Sequence, residues 1–246
     1  MDKSIIITGG SSGIGLGIAN YFYEKGWKVL ITGRNIAKLE QIALKMPGIN
    51  IMVFDSAKEG DHLPIAAFVK ENWQGKLNIL VNNAGNITIG PLQNISSESM
   101  QDMFRSHVLG PTLLASACLE FLTAAKGQIL NTSSSGGIKP YPNSSAYGAA
   151  KASLNMLTKI WALELAPLGI RVNAIAPGPT DTDILKSAGF DEETIRLANE
   201  GERAAIPLQR RGRIQDIVAA AVFFLDSDSD WATGVLLPID GGISIS

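Results

Sequence analysis

Apolar residues along the chain fall into short β-branched and aliphatic runs, separated by longer stretches with helical spacing. Runs at 4–8, 28–32, 49–54, 78–81, 128–132, 170–175 and 235–238 predict strands. Most are apolar on both faces, as parallel strands covered by helices above and below must be. Helical patterns at about 14–25, 36–45, 64–72, 99–125, 146–166 and 214–225 fill the gaps. Gly26 and Gly169 stand just past the first and fifth helices, where a left-handed residue can end a helix. Such alternation with right-handed crossovers predicts an α/β fold, a doubly wound parallel seven-stranded sheet with helices on both faces. Ligands of such sheets bind beyond the carboxyl ends of the strands, so the chemistry is expected just after each strand.

Composition narrows the class. With 246 residues, 46% hydrophobic and 18% charged, the chain has core material for one large domain, and no linker, repeat or low-complexity tract divides 1–246. A net charge of −2 offers no basic field for nucleic acid or an anionic membrane. The single cysteine, Cys118, excludes an internal disulfide, and two distant histidines, His62 and His107, make no metal cluster. A strand pattern from Ser4 leaves no room for a signal peptide. The longest uncharged run, 77–97, carries five asparagines and cannot cross a bilayer. These features predict a cytoplasmic protein with no membrane partner.

The first strand runs into Gly9-Gly10-Ser11-Ser12-Gly13-Ile14-Gly15, where a helix begins. Gly9 permits a tight turn, Gly13 lets backbone approach a pyrophosphate, and Gly15 lets the helix lie close to the sheet. The helix N-terminus then offers unpaired N–H groups to phosphate. The second strand ends at Thr32-Gly33-Arg34-Asn35, without the acid that usually reads a ribose 2′-hydroxyl. Arg34 can clamp a 2′-phosphate instead, so NADP(H) is the expected cofactor and NAD(H) the second choice.

The fifth strand leads into Ser133-Ser134-Ser135, and a helix then carries Tyr147 and Lys151 four residues apart on one face. Leu154, Leu157, Trp161 and Leu165 roughly continue that face, which points its first turn at the strand ends. A free tyrosine has a pKa near ~10, and a nearby cation would bring it toward working range. Ser134 can donate a hydrogen bond to a substrate oxygen. Tyr21 and Lys25 share the spacing, but Tyr21 sits far from the strand ends and reads as structural.

From Lys3 to Gly242 these motifs together resemble the short-chain dehydrogenase/reductase family, in its short single-domain branch with a Rossmann-type fold. Beyond the glycine motif after Thr8, Asn82-Asn83-Ala84-Gly85 resembles the segment after the family's fourth strand. Asn173 through Pro177-Gly178 with Thr182 resembles the segment closing over nicotinamide, and Ile206–Arg210 through Asp216 to Asp240–Gly242 its C-terminal signature. The resemblance implies Tyr147 as general acid–base, Lys151 as the group holding the nicotinamide ribose and tuning the tyrosine, and Ser134 as the group orienting the carbonyl. It implies further cofactor contacts from Asp55, Asn82, Ala84 and Gly85 on the adenosine side. Pro177, Gly178, Thr180 and Thr182 would serve the nicotinamide side. Asn82 and Asn83 also have a plain structural role open to them, satisfying backbone at a strand end.

His107 departs from the family, which usually has asparagine there, its main chain holding a water that links the lysine to solvent. Histidine can replace that contact with its own carbonyl, or its imidazole can carry the proton. Residues at about 183–205 lie where the family inserts its substrate lid, and Leu185, Phe190, Ile195 and Leu197 there predict a partly apolar substrate. Carrier-protein-linked 3-oxoacyl reductases use basic residues where this chain has Ala125 and Leu168, which counts against that role. The expected function is NADP(H)-dependent reduction of a small-molecule carbonyl, with 3-oxoacyl-reductase-like and carbonyl-reductase members of the family the nearest in kind. NAD-dependent alcohol oxidation and a non-catalytic dinucleotide-sensing scaffold are the alternatives. The resemblance also implies a homotetramer, and the alternating apolar tail Ile243-Ser-Ile245-Ser agrees with a covered end.

Overall fold

The computed structural model describes residues 3–226 and 229–246. Seven strands form, β1 (Ser4–Ile7), β2 (Lys28–Gly33), β3 (Asn50–Val53), β4 (Ile79–Asn82), β5 (Gln128–Thr132), β6 (Arg171–Pro177) and β7 (Leu236–Ile239). All pair in parallel, in the order β3-β2-β1-β4-β5-β6-β7. The order reverses between β1 and β4, which opens a crevice at their carboxyl ends. Every predicted strand is present, with ends shifted by a residue or two.

The two faces of the sheet pack separate cores because successive side chains point opposite ways. Ile5 and Ile7 face α1 (Gly13–Glu24), α2 (Ile36–Lys45) and α10 (Ile214–Leu225), which bring Phe22, Leu39 and Phe224. Ile6 and Leu30 face the opposite layer of α3 (His62–Asn72), α5 (Gly110–Ala117), α6 (Leu119–Ala125) and α7 (Ser145–Leu165). Each such fully buried isoleucine contributes roughly 1.5–3 kcal/mol. The decoy pair closes the first layer: Tyr21 Oη donates to Asp226 Oδ2 at 2.7 Å, and Lys25 pairs with the same carboxylate, tying α1 to the end of α10.

The helix predicted over 99–125 is broken twice. It starts as α4 (Ser97–Phe104), widens into a π-helical turn at Arg105–Leu109, and resumes as α5. Pro111 explains the widening, since it has no N–H to close the bond back to His107 and its ring crowds that carbonyl. Gly110 N–H bonds the Arg105 carbonyl instead. At Cys118 the helix bends and α6 turns away by 57°, carrying Phe121 and Leu122 into the second core. Between β6 and α10 the chain adds two helices, α8 (Ile184–Ser187) and α9 (Glu192–Ala205). Among the described residues no single helix is long and apolar enough to cross a membrane, and no cluster of His, Cys, Asp or Glu could hold a metal.

Candidate active site

A cavity of about 720 Å³ lies beyond the carboxyl ends of the strands, at the reversal of strand order. Its floor is the loop from β1 to α1. Gly9 (φ +66°) and Gly13 (φ +53°) both use the left-handed region that other residues avoid. At Gly15 a side chain would start 2.4 Å from the Gly9 carbonyl oxygen, so only glycine lets α1 pack on the loop. Ser12 caps α1 with extended backbone but no side-chain bond, and no acid occupies the first turn. The helix end therefore presents uncapped N–H groups and positive dipole to the cavity, which fits a dinucleotide pyrophosphate.

One hydroxyl stitches this loop to the neighbouring strand. Thr8 Oγ1 donates to the Val81 carbonyl at 3.2 Å and accepts from the amides of Asn83 and Ala84, both at 2.9 Å. Asn83 Nδ2 donates to the Thr8 carbonyl at 3.0 Å. Asn82 is buried and donates to Asn131 Oδ1 at 2.9 Å, while Asn131 donates to Thr158 Oγ1 at 2.9 Å. Asn82 and Gly15 thus stand behind the cavity wall. The other residues expected to hold the cofactor all line it. At the far end, exposed Arg34 shares the rim with Lys38, one turn into α2, and with Asp55. Lys38 escaped the sequence reading, although its four-residue spacing from Arg34 was a usable signal.

Tyr147 falls in the first turn of α7 and Lys151 one turn later, so both reach the end of β5. Ser134 joins them from the loop after that strand, and its Oγ accepts from the Gly136 amide at 3.1 Å. Lys151 is buried. Its Nζ donates to the Thr132 carbonyl at 2.8 Å and lies 5.7 Å from the Tyr147 ring centroid. Burial pushes the Tyr147 phenol above its ordinary value, with only a Ser134 hydrogen bond pulling the other way. Burial also lowers Lys151, to about 7. The phenol is held as an acid.

A family model described as Enoyl-(Acyl carrier protein) reductase matches residues 9–244. The chain belongs to the short-chain dehydrogenase/reductase family. It is 33% identical over 248 residues to a 3-oxoacyl-[acyl-carrier-protein] reductase of Bos taurus, each chain covered in full. It is 32% identical to a glucose 1-dehydrogenase of Gluconobacter oxydans, over 99% of this chain and 92% of that one. Among solved structures, a gluconate 5-dehydrogenase from Burkholderia cenocepacia in complex with NADP and tartrate superposes with a TM-score of 0.89. It shares 28% identity and covers 100% of this chain and 97% of that one. The protein is accordingly an NAD(P)-dependent oxidoreductase acting on small molecules.

In this short-chain dehydrogenase/reductase the π turn places His107 against the catalytic tyrosine candidate, the rings meeting edge to face at 5.5 Å. His107 Nε2 donates to the Asn86 carbonyl at 2.8 Å, which fixes the tautomer and leaves Nδ1 as a buried acceptor without a partner. Burial first, and then the Lys151 charge, hold its pKa well below 6.5, outweighing the Asn86 carbonyl. The imidazole is neutral through the working range. A neutral imidazole favours the backbone over the ring as the group that serves a proton path. The kcat profile of the wild type is therefore expected to lack an acid limb near the ordinary histidine value of 6.5, and His107→Asn to leave the profile in place. A limb that vanishes in the variant would assign the proton to the imidazole.

Proposed function

We propose that the protein is an NADP(H)-dependent carbonyl reductase formed by one domain with a lid at about 183–205. The observation that carries this reading is the meeting of Ser134 and Tyr147 at the cavity wall beside the nucleotide cradle. Ser134 Oγ–H and Tyr147 Oη–H are two donors for one carbonyl oxygen, and they orient it and stabilise charge as it develops there. Tyr147 then gives up its proton to that oxygen as the alcohol forms. Lys151, anchored on Thr132, holds the nicotinamide ribose and can return a proton toward the phenol because its pKa lies near the working pH. Bound with its pyrophosphate on the α1 end, NADPH supplies the hydride.

Arg34 and Lys38 at the rim support the choice of NADP over NAD, since both can face a 2′-phosphate. The NADP complex of the similar gluconate dehydrogenase structure is consistent with it. The test is NADPH and NADH oxidation against a panel of ketones and aldehydes. Turnover of none of them, or faster turnover with NADH, would overturn the reading. Cys118, unpaired and pushed by burial to about 12, fits a reducing cytoplasm.

The same reading includes a homotetramer. Met156, Ile160 and Leu163 form an exposed apolar stripe on α7, with Leu163 79% exposed. A second exposed set, Phe223, Trp231, Val235 and Ile245, lies around α10, β7 and the tail. Two self-complementary faces build a dimer of dimers. Light scattering is expected to give about four times 26.1 kDa at micromolar protein. Met156→Asp with Leu163→Asp should leave dimers, and a monomeric wild type would refute the assembly.

A further inference from the structure

The helices between β6 and α10 bring Gly201, Glu202 and Ala205 to the cavity, together with the apolar Ile184 and Leu185. Arg211, only 7% exposed, reaches the same wall from the segment before α10. Its Nε donates to Asp181 Oδ1 at 2.7 Å and its Nη2 to the Thr180 carbonyl at 2.7 Å. Its Nη1 pairs with Glu202 of α9. Neither atom of that pair has a hydrogen-bond partner elsewhere among the described residues.

Charge around the cavity is therefore unevenly distributed. Arg34 and Asp55, in the loops after β2 and β3, and Lys38, in the first turn of α2, lie at the adenosine end. The remaining charged lining groups are Lys151, Asp183, Glu202 and Arg211. Lys151 is occupied with the Thr132 carbonyl beside Tyr147, and His107 facing it is neutral. Arg211 meets two carboxylates, Asp181 and Glu202, and Asp183 adds a third in the adjoining segment. A buried guanidinium bound on two sides by acids presents no free positive charge to a ligand. A substrate carboxylate would have to displace Glu202 and then face Asp183.

We infer that the Arg211–Glu202 pair sets charge selectivity at the substrate end, so that the enzyme takes uncharged carbonyl compounds and rejects their carboxylate analogues. The inference rests on the carbonyl-reductase reading. Glu202 is the specificity-determining residue, because it both masks Arg211 and supplies negative charge to the wall. One unit charge a few ångströms from a bound ligand, at the effective dielectric of a half-open site, is worth roughly tenfold in affinity.

The test uses levulinate and methyl levulinate, a stable pair that differs in charge, binding to the full-length protein saturated with NADP⁺. With the oxidised cofactor no turnover occurs, and affinities follow from saturation-transfer NMR titrations. Wild type should bind the ester at least about tenfold more tightly than the acid anion. Glu202→Gln should narrow that ratio by about tenfold through tighter binding of levulinate, with the ester changed less than about threefold. Arg211→Met, which keeps volume but removes the masked cation, should widen it. Should Arg211→Met fail to fold, the Glu202→Gln ratio decides alone. Equal binding of both ligands by wild type, no binding of the ester, or an unchanged ratio in Glu202→Gln would each overturn the inference. Separately, an ester that binds as expected but is not reduced with NADPH would overturn the reductase reading and leave the charge selectivity standing.

Discussion

Tyr147→Phe is expected to lower kcat by about 10² to 10⁴ while NADPH affinity stays within about twofold of wild type. The ring keeps its edge-to-face contact with His107 and its place beneath the Lys151 ammonium, so the wall retains its shape. Only the hydroxyl is lost, and with it the one acidic proton that Ser134 and the cavity present to a carbonyl oxygen. Serine cannot substitute, because a free hydroxyl is a far weaker acid than a phenol. Tyr21→Phe is the internal control. It loses the bond to Asp226, at a stability cost of roughly 0.5–1.5 kcal/mol, and should leave kcat unchanged. A Tyr147→Phe enzyme with most of its activity would move the acid to another residue.

Arg34→Ala is expected to weaken NADPH by about ten- to a hundredfold and to leave NADH almost untouched. A charge-assisted contact between guanidinium and phosphate is worth roughly 1.5–3 kcal/mol, and NADH has no phosphate at that position. Arg34 follows Gly33 at the end of β2 and precedes Asn35, whose side chain accepts from the Lys38 amide and opens α2. The arginine is thus held between a strand end and a capped helix, and its removal should not disturb either. Dissociation constants from fluorescence titration with both cofactors check this. Equal losses for NADPH and NADH would mean that Arg34 meets the adenine or ribose shared by both.

Most of the fold could be read from the chain because parallel strands buried on both faces leave continuous apolar runs. The glycine loop was legible for a related reason, since Gly9, Gly13 and Gly15 each answer a backbone need that no other residue meets. The broken helix over 99–125 was not legible from periodicity. Its apolar spacing continues across both breaks, and the cause of the first is a single missing N–H at Pro111. The direction in which burial moves the Tyr147 and Lys151 pKa values was not legible either. Spacing places two groups on one face but carries no information on how deeply both are buried, and burial dominates each shift. Arg211 and Glu202 were invisible as partners because eight residues of helix and turn separate them, and nothing local in either stretch marks the contact.

No residue of α8 or α9 is buried, whereas every α-helix of the two layers, most of them shorter than α9, buries at least one residue. Substitutions on such exposed positions usually change stability by no more than about 0.5 kcal/mol. Residues 184–205 can therefore vary widely while the sheet, the phosphate loop and the acid–base pair keep their geometry. Selection for folding and selection for substrate act on nearly separate sets of residues here. New substrate preferences can accordingly arise by drift in this one segment, without a compensating change in the rest of the molecule.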